Sequence, residues 1–212
     1  PTEDGCSTGI VKLSNTKELI IYIDIMRKGI NNVPKYTFNK NQHSIIEMPA
    51  HKPKHLMFEQ FIYTDKIAVI KNKLKWQKIS GWIEITMGVI GKNANIKALN
   101  PSLTVARGTV LTLEEKFQGG TGINITPPPQ PYVKKSAIAR ARKRMEIVAK
   151  KLGISGYARL DAFMETSTGE LMIIEANTAP ALTPSTVIFH QALVENPKLY
   201  PLDFLEKIIE NS

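Results

Sequence analysis

The chain has 212 residues, 42% hydrophobic and 22% charged, with a formal net charge of +9 at neutral pH. That length can bury one good core or two smaller ones side by side, and the composition is ordinary for a globular protein. No apolar run approaches the ~18–20 residues of a membrane span, which excludes a helical membrane protein for this stretch. The single cysteine, Cys6, cannot form an internal disulfide and suits a reducing compartment, so the expected location is the cytoplasm. The positive balance favours polyanions such as nucleic acid, anionic lipid or nucleotide phosphates. Much of it is dispersed lysine, and a solvated basic surface explains that more simply.

The chain opens without Met, with neither a basic leader nor the apolar segment of a signal peptide, and reads as part of something longer. Asp4 to Gly9 is a small-residue turn leading to a short strand, Ile10 to Leu13. Asn15 with Glu18 three residues on resembles a capping box, and the helix it starts runs to about Lys28 before Gly29. Ser44 to Met48 and His55 to Ile62 read as strands, so the first sixty residues form a small α+β unit. Beyond Tyr63, strands are expected at Lys66–Lys71, Trp82–Ile90 and Asn95–Leu99. Lys71 to Lys78 (KNKLKWQK) is basic around Trp76; an exposed loop or hairpin tip is the simpler alternative to a base-stacking site. Pro127, Pro128, Pro129 and Pro131 rule out regular structure there.

The clearest helix spans about Val133 to Leu152. Ile138, Ala141, Met145, Val148 and Leu152 recur at spacings of 3 and 4, and Gly153 follows as its stop. Its other faces carry Lys134, Lys135, Arg140, Arg142, Lys143, Arg144, Lys150 and Lys151, a basic surface most simply read as solvated. Two short amphipathic helices, Ser185–Glu195 and Leu202–Glu210, close the chain.

Between these lies Gly156 to Thr186, two apolar strands joined by a polar turn and followed by a Pro/Thr-rich loop. Alternation puts Arg159 and Asp161 on one face of the first strand, and Glu175 and Asn177 on one face of the second. Pairing Asp161 with Glu175 sets Arg159 opposite Asn177 and leaves Thr166 to Glu170 as the connection, with Gly169 free for a left-handed turn. Asp161, Glu175 and Asn177 are hard oxygen ligands suited to Mg²⁺ or Mn²⁺ shared with phosphates, and Arg159 can pair with phosphate or carboxylate. On geometry alone two explanations stand: a metal–phosphate site, or an internal Arg159–Asp161–Glu175 salt-bridge network with no ligand. Phosphate loops of the GxxxxGK[ST] and GxGxxG kinds, HExxH, and Cys/His clusters are absent.

GYARLDAF and GELMIIEANTAPALTPS resemble the C-terminal signature of the ATP-grasp superfamily, and specifically its D-alanine–D-alanine ligase branch. The resemblance extends over the chain in order: Pro1–Gly9 resembles the Ser-rich phosphate loop, Phe58–Ile62 the adenine hinge, Trp82–Gly91 the ribose-binding strand, and Glu114–Phe117 a mobile loop. It implies an α+β ATP-grasp fold, with a partial nucleotide-clamp subdomain over 1–62 and a larger C-terminal antiparallel sheet covered by helices over 63–212, residues 63–81 being an insertion. It implies an ATP- and Mg²⁺-dependent carboxylate–amine ligase acting on small amino-acid-like substrates, whose acyl phosphate is attacked by an amino-acid amine. By the same resemblance Asp161, Glu175 and Asn177 hold the metal, and Arg159, with Ser7 and the backbone at Ala181, serves catalysis. Glu59, Gln60, Phe61 and Ile62 receive adenine, with Phe163 across the base. Glu84 holds the ribose, Lys116 reaches phosphate, and Thr186 and Val187 grip the second substrate.

The chain departs from that pattern at Ala181, where the family has Gly; at Phe117, which lacks a Tyr hydroxyl; and at Cys6, in place of Ser. A preceding N-terminal domain is expected to complete the first-substrate site, so this stretch alone is not expected to ligate. A homodimer stays open, and neither membrane nor nucleic acid is expected as a partner. The alternative is a degenerate ATP-grasp fold serving as a basic module for nucleic acid or a protein.

Overall fold

The computed structural model describes residues 8–40, 42–51, 53, 55–107 and 123–211. They divide into two compact units, residues 1–61 and 62–212. Both mix helices with antiparallel pairing, as an α+β chain should.

In the first unit, helix α1 (Thr16–Lys28) starts where Asn15 Oδ1 accepts from the Glu18 N–H at 3.0 Å, while Glu18 returns to the Ser14 N–H at 2.7 Å. This reciprocal cap satisfies two donors the helix cannot. Gly29 ends it in the left-handed conformation (φ 67°). Tyr22, Ile25 and Met26 pack with Val33, Phe38 and Met48 beside a two-stranded ladder of β1 (Asn32–Val33) and β2 (Ile46–Glu47). Two expected strands do not form. Ile10 to Leu13 contributes Val11 and Leu13 to this core without pairing. His55 to Ile62 is mostly exposed and has no ladder partner among the described residues. β-rich composition makes a strand only where a neighbour takes up its backbone N–H and C=O groups.

The second unit carries two four-stranded sheets. One is antiparallel, in the order β10 (Leu171–Asn177), β9 (Ser155–Glu165), β5 (Trp82–Lys92), β6 (Lys97–Ala98). The other runs β4 (Lys73–Gln77), β3 (Lys66–Ile70), β7 (Leu103–Arg107), β8 (Ile123–Ile125), with β3 and β7 parallel. Helix α2 (Lys135–Lys151) lays Ile138, Ala141, Met145 and Ala149 on the alternate residues Ile83, Ile85, Met87 and Val89 of β5 and Ala158, Leu160, Ala162 and Met164 of β9. Helices α3 (Val187–Leu193) and α4 (Pro201–Glu210) enclose a second cluster of Ile90, Leu99, Ile188, Phe189, Ala192 and Phe204. Among the described residues no helix is long and apolar enough to cross a membrane.

Lys71 to Lys78 is a hairpin rather than a loop: Lys71 and Asn72 are its tip, and Lys73–Gln77 is the second strand of the β3–β4 pair. Trp76 stacks on Tyr132, 4.6 Å between centroids, and donates its indole N–H to Asp65 at 2.9 Å. The other oxygen of Asp65 accepts the N–H groups of Ile79, Ser80 and Gly81 at 2.8, 3.0 and 2.9 Å. Burial pushes this carboxyl up, but the four hydrogen bonds outweigh it and hold Asp65 below its ordinary value.

A depressed folded value means that the stabilisation is present above the unfolded-state pKa of about 4 and fades as acid protonates Asp65 in the fold. Asp65→Asn keeps an oxygen for the backbone donors but turns an NH₂ toward the indole N–H. We expect it to cost about 1–3 kcal/mol at pH 7. Urea midpoints should converge toward the wild type at pH 3; a gap unchanged by acid would disprove this account.

Candidate functional site

The face of the antiparallel sheet opposite α2 carries the polar residues. In β9 the buried residues Ala158, Leu160 and Ala162 alternate with half-buried Arg159, Asp161 and Phe163. Register brings Phe163 opposite Glu84, Asp161 opposite Thr86 and Arg159 opposite Gly88 on β5. On the other side Asp161 faces Glu175 and Arg159 faces Asn177 on β10. Thus Glu84, Arg159, Asp161, Phe163, Glu175 and Asn177 share one surface, as alternation from the paired positions requires.

That pairing holds by a device the sequence concealed. Near the turn the register is Leu171 with Met164, Met172 with Phe163 and Ile173 with Ala162, and it shifts by one residue between Ile173 and Glu175. The connection is therefore Thr166 to Gly169, one residue shorter than expected, closed by the Glu165 N–H to the Glu170 carbonyl at 2.9 Å. Ile174 is the extra residue of a β-bulge. Without it, continued alternation would put Ile174 opposite Asp161 and turn Glu175 and Asn177 toward α2.

The turn is fastened to α2. Gly169 (φ 69°) approaches so closely that a Cβ there would lie 2.1 Å from the Ala137 carbonyl oxygen. Arg140 donates to the carbonyls of Thr168 at 2.6 Å and Ser167 at 2.8 Å, and Arg144 donates to Thr168 at 3.0 Å. Burial raises Glu165, yet the Ser167 hydroxyl and the Ser167 and Thr168 N–H groups more than compensate and hold it below its ordinary range. Arg142 bonds the Ala98 carbonyl and Glu195, at 2.9 and 2.7 Å. Three cations of the basic helix thus serve the fold.

Within the polar face, the Thr86 hydroxyl donates to Asp161 Oδ1. Arg159 Nη2 and Asn177 Nδ2 each approach Asp161 Oδ2 at 3.4 Å, long for hydrogen bonds. The same Asn177 amide reaches Glu175 at 3.1 Å. Arg159 and Asp161 side chains are 34% and 20% exposed, so the pair is open to solvent and to ligands. Of the internal network considered above, the Arg159–Asp161 half is seen at 3.4 Å, while Glu175 is met by the amide of Asn177. Among the described residues no three His, Cys, Asp or Glu side chains gather at one point; the oxygen set here is two carboxylates with an amide.

Thr86 escaped the sequence reading, although its alternation with Glu84 on an apolar strand signals the polar face. Gln191 of α3 escaped it too. This fully buried side chain accepts the Gly88 N–H at 2.7 Å and donates to the Thr86 carbonyl at 2.9 Å and to the Ser102 hydroxyl at 3.0 Å. Gly88 makes room: a Cβ there would lie 2.9 Å from the Gln191 amide oxygen. Its signal was a polar residue three positions after Ile188 on the apolar side of a helix. Through Gln191, the helix that follows Thr186 is tied to β5, whose Thr86 hydroxyl bonds Asp161.

Thr186 precedes α3 as its cap and Val187 begins it. Ala181 lies in the exposed loop before them and is not among the residues with positive φ, so a side chain is tolerated where the resembled family has Gly. Glu59, Gln60 and Phe61 belong to the first unit, where the Lys12 ammonium sits 3.9 Å from the Phe61 ring centroid; Ile62 opens the second. Cys6, Ser7, Lys116 and Phe117 lie outside the described residues.

Comparison with known proteins gives this arrangement a family. The D-alanine–D-alanine ligase of Carboxydothermus hydrogenoformans is 28% identical over 145 residues, covering 68% of this chain and 44% of that protein. The ligase of the same name from Geobacter sulfurreducens is 28% identical over 170 residues, 78% of this chain and 47% of its own length. The chain therefore spans less than half of these curated relatives. Among solved structures, a D-alanine–D-alanine ligase from Bacillus anthracis complexed with ATP aligns over 65% of this chain and 40% of its own, with 21% identity and a TM-score of 0.44. The VanG D-Ala:D-Ser ligase of Enterococcus faecalis aligns with 22% identity and a TM-score of 0.45, over 65% of this chain and 38% of its own. The family model described as the D-ala D-ala ligase C-terminus matches residues 57–210, and the chain belongs to that ATP-grasp ligase family.

Proposed function

We propose that this chain is the nucleotide- and metal-binding region of an ATP-dependent carboxylate–amine ligase acting on small amino-acid-like substrates. The observation that carries the reading is the convergence of Arg159, Asp161, Glu175 and Asn177 on one sheet face, with the Thr86 hydroxyl on Asp161. Two carboxylates directly opposite each other repel, and here the one cation near them is a long Arg contact, the other donors being the neutral Thr86 hydroxyl and Asn177 amide. A structural ion pair has no need of a second carboxylate; a divalent cation does.

The donor set fits magnesium or manganese, since both prefer hard oxygen ligands. Asp161, Glu175 and Asn177 would hold the ions, which when bound neutralise phosphate charge. Asn177 would then present its carbonyl oxygen in place of its NH₂. In the proposed reaction the γ-phosphoryl group moves to a substrate carboxylate oxygen as its bond to ADP breaks. The amine of a second amino acid then bonds to the acyl carbon, and phosphate leaves with the C–O electron pair as the amine sheds its proton. Arg159 stabilises charge on the phosphoryl group and on the tetrahedral oxyanion. Within the second unit Glu84 receives the ribose and Phe163 lies against the base. Thr186 and Val187 take the carboxylate of the second substrate, and the N–H of Ala181 faces the oxyanion.

The alternative of a basic binding module rests on the positive charge, the basic helix and the departures at Cys6, Phe117 and Ala181, and of these the helix is drawn into the fold. Arg140, Arg142 and Arg144 are engaged within the fold, and Trp76 is stacked on Tyr132.

The test is phosphate release from ATP by the full-length protein against a panel of D- and L-amino acids. Release should depend on the amino acids and stop on chelation of divalent metal. ATP cleavage indifferent to both would defeat the proposal. The isolated region should bind nucleotide weakly with Mg²⁺ and should not ligate.

A further inference from the structure

We infer that Tyr157 is a positioning residue that aims the backbone N–H of Ala181 at the oxyanion; this rests on the ligase reading above. Tyr157 is on β9, two residues before Arg159 and on the same face. Its hydroxyl donates to the carbonyl of Pro180 at 3.1 Å. Its ring packs against the cluster of Ile90, Leu99, Ile188, Phe189, Ala192 and Phe204, which Leu182 also joins.

The Pro180 carbonyl and the Ala181 N–H belong to one peptide unit. That unit is planar and is not among the cis bonds of the chain, so the two groups point in opposite directions. A hydroxyl that captures the carbonyl from one side therefore sets where the N–H points on the other. Nothing among the described residues accepts from that N–H, and Ala181 is exposed. The donor is held in place by its partner carbonyl and left available.

The loop is fixed at both ends. Tyr157 and Leu182 secure its start, and Gln191 secures the helix that follows it to Gly88 and Thr86. Preorganised donors need no reorganisation when charge develops, which gives them their catalytic value. A single hydrogen bond from a strand side chain thus prepares an N–H that would otherwise sit on a Pro- and Thr-rich loop.

Tyr157→Phe removes the hydroxyl and leaves the ring in its cluster. In the full-length protein it should lower kcat and kcat/KM together by about tenfold, because the interaction it aims exists only once the oxyanion forms. KM for ATP and for both amino acids should stay within about twofold, and the thermal midpoint should hardly move. Amide exchange of the 178–186 segment should accelerate in the variant. An unchanged kcat, or a fall matched by loss of thermal stability with no change in that exchange, would overturn the inference while wild-type ligase activity upholds the reading it rests on. Wild-type protein without amino-acid-dependent ATP cleavage would overturn both.

Discussion

Asp161→Asn in the full-length protein is expected to lower ligase turnover by about 100- to 1,000-fold, the range for removing one transition-state electrostatic partner, and to leave the protein at least as stable as before. The two halves of that expectation have one cause. Asp161 is paired directly with Glu175, and its compensating donors at Oδ2 are both 3.4 Å away. An amide of the same shape keeps an oxygen for the Thr86 hydroxyl, relieves the repulsion between carboxylates, and gives up the charge that holds a divalent cation. If the polar face were a structural ion pair, the signs would reverse: the variant would unfold sooner and retain its activity. Measuring turnover and thermal midpoint on one preparation separates the cases. Activity within a few-fold of wild type would remove Asp161 from the site.

Gly169→Ala is expected to be the most damaging change to the fold, at about 3 kcal/mol or more from denaturant midpoints. Left-handed backbone costs a non-glycine residue about 1–2 kcal/mol, and the new methyl would sit 2.1 Å from the Ala137 carbonyl oxygen. Neither partner has room to give. Ala137 is in the first turn of α2, and the hairpin turn is held to the same helix by Arg140 and Arg144. Gly153 supplies the control. Its φ is 68°, but nothing lies within 4 Å of where its Cβ would be. Gly153→Ala should therefore show the backbone cost alone. Equal losses at the two sites would mean that the close approach to Ala137 contributes nothing.

The parts of the fold legible in the sequence were those where periodicity and packing agree. The stripe on α2 faces the sheet through Ile138, Ala141, Met145 and Val148, though Ala149 and not the exposed Leu152 completes it; the Asn15–Glu18 cap starts α1, and Asp161 does meet Glu175. What escaped depended on partners far along the chain. His55 to Ile62 has strand composition but no neighbouring strand among the described residues. Leu103–Arg107 became a strand by pairing in parallel with β3, more than thirty positions earlier, which no local pattern announces. Of the site, the carboxylates, Arg159 and Asn177 were visible by alternation. Thr86 and Gln191 act across 75 and 105 residues of sequence, so only folding reveals what they hold.

Ile174 makes the location of the carboxylate pair a matter of arithmetic. The residues between Gly169 and Glu175 are apolar or charged in ways that many substitutions would respect, yet their pairing decides which side of the sheet Glu175 and Asn177 occupy. The same strand paired without the bulge would keep every side chain named in the site and still present two of them to Leu160 and α2. Composition at this hairpin selects the chemistry; register selects whether the chemistry is assembled.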